Sequence, residues 1–183
     1  MLNTEQGQVL LHLARDAIAT HFDLSSHPAP HAAWLNERGA TFVTLTQHGR
    51  LRGCIGSLEV SRTLSDDVRH NAVAAAFHDP RFAPLTADEF NGTRVEVSLL
   101  SPAHQLIFNS EKDALSQMQP GEDGLIFEYK WHKATFLPQV WEELPQAQEF
   151  FEHLKSKAGL PPKFWSEDIK LSRYSVQKWQ EPA

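Results

Sequence analysis

Six residues, Leu51-Arg52-Gly53-Cys54-Ile55-Gly56, hold the only cysteine of the 183-residue chain, placed between two glycines and two positions after an arginine. In a strand alternate residues share a face, so Arg52, Cys54 and Gly56 point one way and Gly53, Ile55 and Ser57 the other. A guanidinium two residues away lies about 7 Å along the strand, and positive charge nearby favours the nucleophilic thiolate. Glycines on either side let a ligand or another backbone come close. One reading is therefore a nucleophile or redox thiol beside an anion-binding arginine. The other is a small buried side chain that fills space, with glycines that admit a tightly packed helix.

Two further stretches carry polar groups in apolar settings. His70-Asn71 flank an apolar stripe, where an asparagine is costly unless its amide finds a partner; the segment Phe77-His78-Asp79-Pro80-Arg81-Phe82 follows. Asp79 and Arg81 bracket a proline, so they either fix the turn as an ion pair or, with Asn71, face a ligand, and the two roles are compatible. Downstream, Thr135, Gln139 and Trp141 place a hydroxyl, an amide and an aromatic plane within seven positions, as suits polar recognition in an apolar cleft. Phe136, Leu137, Val140 and Trp141 read equally as core around a turn at Pro138.

No metal or cofactor is expected. The ten histidines form no HExxH pattern, and His27 and His31 are separated by Pro28 and Pro30, which prevent the helix that would align them. One cysteine cannot ligate an iron–sulfur cluster, and neither a phosphate-cradling loop nor a dinucleotide fingerprint is present.

Composition narrows the class. The formal charge of -6 argues against nonspecific association with nucleic acid or an anionic membrane, both of which need a basic field. A lone cysteine cannot form an internal disulfide, unlike a stapled secreted domain. The N-terminal MLNTEQGQVLLHLARDAIAT lacks the basic and apolar regions of a signal peptide, and no apolar run approaches the roughly 18 residues of a membrane span. A reducing cytoplasm is the expected location.

The elements that must position these residues form an α+β pattern. Asn3 or Thr4 caps a helix carrying Val9, Leu10, Leu13, Ala17 and Ile18 at helical spacing. Residues 25–31 read as a Pro-broken linker. Thr41 to Thr46 reads as a strand, turning at Gln47-His48-Gly49-Arg50 into the Cys54 strand. Thr63 and Asp66 start a helix whose apolar face is Leu64, Val68, Ala72 and Ala75, ended by Asp79-Pro80. Thr86 and Glu89 form a second capping box, and Arg94 to Leu100 alternates as a strand. Further on come a short helix near 113–118, a strand at 125–129 that pairs with 133–137, a helix at 146–158 ended by Gly159, and a closing strand from Ile169 to Trp179. Hairpins and neighbours favour a mostly antiparallel sheet packed with helices. One domain over 1–183 is expected.

The blocks together resemble the AMMECR domain family. Leu51-Arg52-Gly53-Cys54-Ile55-Gly56 looks like its signature. Asn71-Ala72, Ala75-Ala76-Phe77 and Asp79-Pro80-Arg81-Phe82 match its next block, and Glu96-Val97-Ser98-Leu99-Leu100-Ser101-Pro102 resembles its EVSxLSP segment. Gly121-Glu122-Asp123-Gly124-Leu125, Ala134 to Trp141 and Lys157-Ala158-Gly159-Leu160 resemble three later blocks, in order across nearly the whole chain. The resemblance implies a larger lobe and a smaller one, the latter within about 102–140, with a cleft lined by Arg52, Gly53, Cys54, Gly56, Asn71, Asp79, Arg81 and Thr135. It also implies the company of a MEMO-like protein and a radical-SAM protein. Two functions follow: an accessory protein whose cleft binds a small molecule or peptide, or an enzyme with Cys54 as nucleophile or redox centre.

Overall fold

The computed structural model describes residues 2–24 and 32–182; the 25–31 linker reading lies outside them. In chain order the elements are α1 (Thr4–His21), β1 (Arg38–Gly39), β2 (Thr41–Gln47), β3 (Arg50–Gly56), β4 (Arg62–Thr63), α2 (Leu64–Phe77), α3 (Ala87–Phe90) and β5 (Thr93–Leu100). They continue with β6 (His104–Gln105), α4 (Glu111–Gln117), β7 (Gly124–Tyr129), β8 (His132–Phe136), α5 (Ala147–Lys157), β9 (Lys170–Tyr174) and β10 (Val176–Gln180). This is an α+β fold with antiparallel sheets. The chain divides into two compact units, 1–100 with 177–183, and 101–176.

In the first unit a four-stranded sheet has the order β10-β5-β2-β3, and β1 and β4 form a separate two-stranded ribbon. The helix starts are set by side chains. Asn3 and Gln6 form a reciprocal capping box at α1, and Thr86 and Glu89 another at α3; at α2 the Thr63 hydroxyl accepts from the Asp66 N–H. The apolar faces of α1 and α2 bury Leu10, Leu13, Ile18, Val68 and Ala72 with Val43, Leu45, Val95 and Val97 of the sheet. The β2–β3 turn has left-handed φ at both central residues, His48 (49°) and Gly49 (74°), the geometry whose twist suits a two-residue hairpin.

In the second unit the sheet order is β6-β9-β7-β8. The core joins Leu125, Phe127 and Leu171 to Phe150, Phe151 and Leu154 of α5. Trp141 stacks on Phe150 with ring centroids 3.7 Å apart, so the aromatic of the third constellation belongs to the core. Lys155 is fully buried; its ammonium donates to Glu111 at 2.7 Å and to the Phe164 carbonyl at 2.9 Å. The single closing strand expected over 169–179 is two strands that join different sheets, β9 in the second unit's and β10 in the first's. An uninterrupted β-forming run does not reveal such a change of partner.

Candidate functional site

Cys54 lies on β3, the outer strand of its sheet, opposite Thr44. In antiparallel pairing, alternate residues turn their N–H and C=O away from the neighbouring strand. At Cys54 both outward groups are taken by one short loop. Asp79 Oδ2 accepts the Cys54 N–H at 2.9 Å, and Arg81 Nη2 donates to the Cys54 carbonyl at 3.2 Å. The two side chains also hold one another, with Arg81 Nε donating to Asp79 Oδ1 at 3.0 Å and Nη2 to Oδ2 at 2.7 Å. The pair thus replaces a neighbouring strand and protects an edge that would otherwise offer free backbone groups. The Asp79 side chain is 2% exposed and that of Arg81 54%. The Arg81 guanidinium, helped by the N–H groups of Cys54 and Arg81, holds the Asp79 carboxyl far below the usual carboxylate range against the opposing effect of burial. Asp79 in turn raises the Arg81 pKa.

Cys54 is half-buried, and the Thr44 hydroxyl lies 3.3 Å from its sulfur. That contact is a hydroxyl, not a base. His70 and His78 are exposed on and just after α2.

Arg52 is the extra residue of a β-bulge: the β2–β3 register moves from Leu45 opposite Gly53 to Thr46 opposite Leu51. Simple alternation therefore does not carry from Cys54 through Arg52. Its guanidinium forms a two-pronged pair with Glu89, Nε to Oε1 at 3.2 Å and Nη2 to Oε2 at 3.1 Å. Arg52, followed by the Thr86 N–H, lowers the Glu89 pKa to about 2. Both arginines also approach the Phe82 ring, at 6.0 Å for Arg52 and 5.5 Å for Arg81.

The two glycines answer to different neighbours. A Cβ on Gly53 would come within 2.1 Å of the Ala75 carbonyl oxygen of α2, so Gly53 is what lets helix backbone meet strand backbone. A Cβ on Gly56 would meet the Phe42 ring at 2.2 Å. At Gly53 the packing reading of the motif applies.

Asn71 is 1% exposed and has the partners that its position demands. Its amide N donates to the Thr41 carbonyl at 2.9 Å and to Asp67 Oδ2 at 3.0 Å. Asp67, wholly buried, also accepts from the Thr41 N–H and hydroxyl, both at 2.8 Å, and from Ser57 at 2.7 Å. This network ties α2 to the start of β2 and the end of β3. Asp67 was not singled out from the sequence; the available signal was its placement four residues before Asn71, on the same side of an otherwise apolar helix face.

Thr135 belongs to the second unit. Its hydroxyl donates to the Leu125 carbonyl at 2.8 Å and lies 3.0 Å from Tyr174 Oη, which donates to the Phe136 carbonyl at 3.1 Å. Burial raises the Tyr174 pKa. The structure therefore brings Cys54, Asp79 and Arg81 together directly, and Arg52 through Phe82. Asn71 is engaged in the network beneath the same strand, and Thr135 has its own hydroxyl pair.

Comparison with known proteins gives a consistent result. A family model described as AMMECR1 matches residues 11–179. The chain is 35% identical to Protein MJ0810 of Methanocaldococcus jannaschii, over 99% of this chain and 92% of that protein. It is 37% identical to a protein of Methanothermobacter thermautotrophicus, over 98% and 96%. The crystal structure of uncharacterized protein PH0010 from Pyrococcus horikoshii superposes with a TM-score of 0.86 at 32% identity, covering 98% of this chain and 93% of that one.

Proposed function

The chain belongs to the AMMECR1 family, and from that premise we propose that it is a binding or accessory protein whose contact surface is centred on β3 at Cys54. The observation that carries this reading is the use to which the polar groups around the thiol are put. Asp79 and Arg81 hold the Cys54 main chain, Arg52 is held by Glu89, and the hydrogen-bonding group beside the sulfur is a hydroxyl, that of Thr44. A cysteine nucleophile needs a base or another source of activation. A rigidly held strand with a half-exposed arginine suits recognition of a peptide or a small molecule instead. A MEMO-like protein and a radical-SAM protein are the partners we propose, in the cytoplasm. Among the described residues no helix is long and apolar enough to cross a membrane.

The competing reading, Cys54 as nucleophile or redox centre, makes the opposite forecast for one experiment. In iodoacetamide labelling across a pH series Cys54 is expected to react no faster in the folded protein than after denaturation, and Cys54→Ser is expected to retain binding of the MEMO-like partner in a pull-down with purified proteins. Rapid labelling well below the normal thiol range, together with lost binding in Cys54→Ser, would replace the accessory reading with the enzymatic one.

A further inference from the structure

Among the described residues, the two buried side-chain nitrogens with no hydrogen-bond partner are Arg52 Nη1 and Arg94 Nε. Buried polar groups are nearly always paired, so an unpaired guanidinium N–H points to an acceptor. Both arginines lie in the first unit, and each lines a pocket at the β2–β3 turn. One pocket, of about 640 Å³, is formed by Arg15, His48, Asn91 and Arg94 among others. The second, of about 310 Å³, is formed by Gln47, His48, Arg50, Leu51 and Arg52. His48 lines both, held at the turn by its left-handed backbone.

The charge at this turn contrasts with that of the whole chain, which is formally -6. Four arginines, Arg15, Arg50, Arg52 and Arg94, are among the residues that line the two pockets. Two carboxylates answer them. Glu181 takes Arg15 Nη2 at 2.6 Å and the Val95 N–H at 2.9 Å, and Glu89 takes Arg52. Arg94 donates through Nη2 to the Glu181 main-chain oxygen at 2.7 Å, a contact that leaves its charge unneutralised, and Arg50 is exposed.

We propose that the paired pockets bind a small phosphate-type polyanion with two charged oxygen groups, one taken by Arg94 and Arg15, the other by Arg50 and Arg52, with His48 between them. A guanidinium presents a fork of donors matched to such oxygens, and a phosphoryl group supplies enough acceptors to satisfy several donors at once. This site shares Arg52 with the Cys54 surface and otherwise stands apart from it.

The test is calorimetric titration of the full chain with inorganic pyrophosphate, with citrate and sodium chloride at matched ionic strength as parallel arms. Saturable pyrophosphate binding is expected, weakened about tenfold or more by Arg50→Gln. His48→Asn, which keeps a residue tolerant of positive φ, is expected to weaken it too, while Cys54→Ser leaves it unchanged. Arg50 is exposed, so that variant does not depend on refolding a core. Citrate binding as tight as that of pyrophosphate overturns the assignment to a phosphate-type ligand. No saturable binding of either anion, binding unaltered in both Arg50→Gln and His48→Asn, or loss of binding in Cys54→Ser overturns the proposal.

Discussion

The carboxylate of Asp79 accepts the backbone N–H of Cys54 at 2.9 Å, and the residue two positions after Asp79 returns a guanidinium to the Cys54 carbonyl. A single Asp-Pro-Arg loop therefore caps the outer edge of β3 where the family signature lies. Because the two side chains also hold each other, neither is free to act alone.

Asp79→Ala is expected to lower stability by about 2 kcal/mol, since it leaves the Cys54 N–H without its acceptor. Arg81→Ala leaves a buried carboxylate with two N–H donors but no counter-charge, and a similar or larger loss is expected. The double variant should lose less than the sum, because both singles break the same unit. Urea denaturation of the four proteins measures this; strict additivity would show that the two side chains do not act as a pair.

Acid should weaken these clamps in a defined window. Asp79 and Glu89 are both depressed in the folded state. Their contributions are therefore complete above the unfolded carboxylate range near 4 and fade as pH falls through the folded values, about 2 for Glu89. The urea midpoint is expected to drop between about pH 4.5 and 2. Glu89→Gln, with one depressed carboxylate fewer, should show a shallower drop. An identical slope in the variant would mean that the Arg52 pair does not contribute to folding.

Gly53→Ala is expected to cost about 3 kcal/mol or to prevent folding, because the added methyl meets the Ala75 backbone carbonyl, which cannot move without lifting α2. Gly56→Ala meets the root of the Phe42 ring instead, a side chain rather than a helix backbone, so a smaller loss of about 2 kcal/mol is expected. Thermal unfolding monitored by circular dichroism ranks the two. The reverse order would refute the assignment of Gly53 to helix packing.

Asn71→Asp sets a second carboxylate beside buried Asp67, 3.0 Å from the present amide nitrogen. A loss of about 3 kcal/mol or more at pH 7 is expected, with partial recovery in acid as one of the two carboxylates takes a proton. Asn71→Ala, which removes donors without adding charge, should lose less at pH 7 and show no such recovery. A stability curve with pH for each variant decides the point.

Much of the fold was readable before the structure. The helix starts at Asn3, Thr63 and Thr86 follow from side chains that satisfy backbone groups one turn away, a purely local requirement. The β2–β3 hairpin and the alternation of β5 are equally local. The bulge at Arg52, the split of the last strand run and the burial of Asp67 were not readable, because each depends on which distant segment lies alongside.

The candidate residues divide in the same way. Residue types and spacing marked Cys54, Asp79, Arg81 and Asn71 as unusual, since a lone thiol between glycines, charges around a proline and an amide at an apolar stripe each call for a partner. Which partner was a matter of tertiary packing. Asp79 lies 25 residues from the Cys54 N–H that it accepts, Asn71 30 residues from the Thr41 carbonyl and Glu89 37 residues from Arg52. Hydrogen bonds and ion pairs act over about 3 Å whatever the separation along the chain, whereas sequence patterns register only neighbours within a turn or a strand. Local chemistry thus identified the groups that need satisfying, and folding assigned the groups that satisfy them.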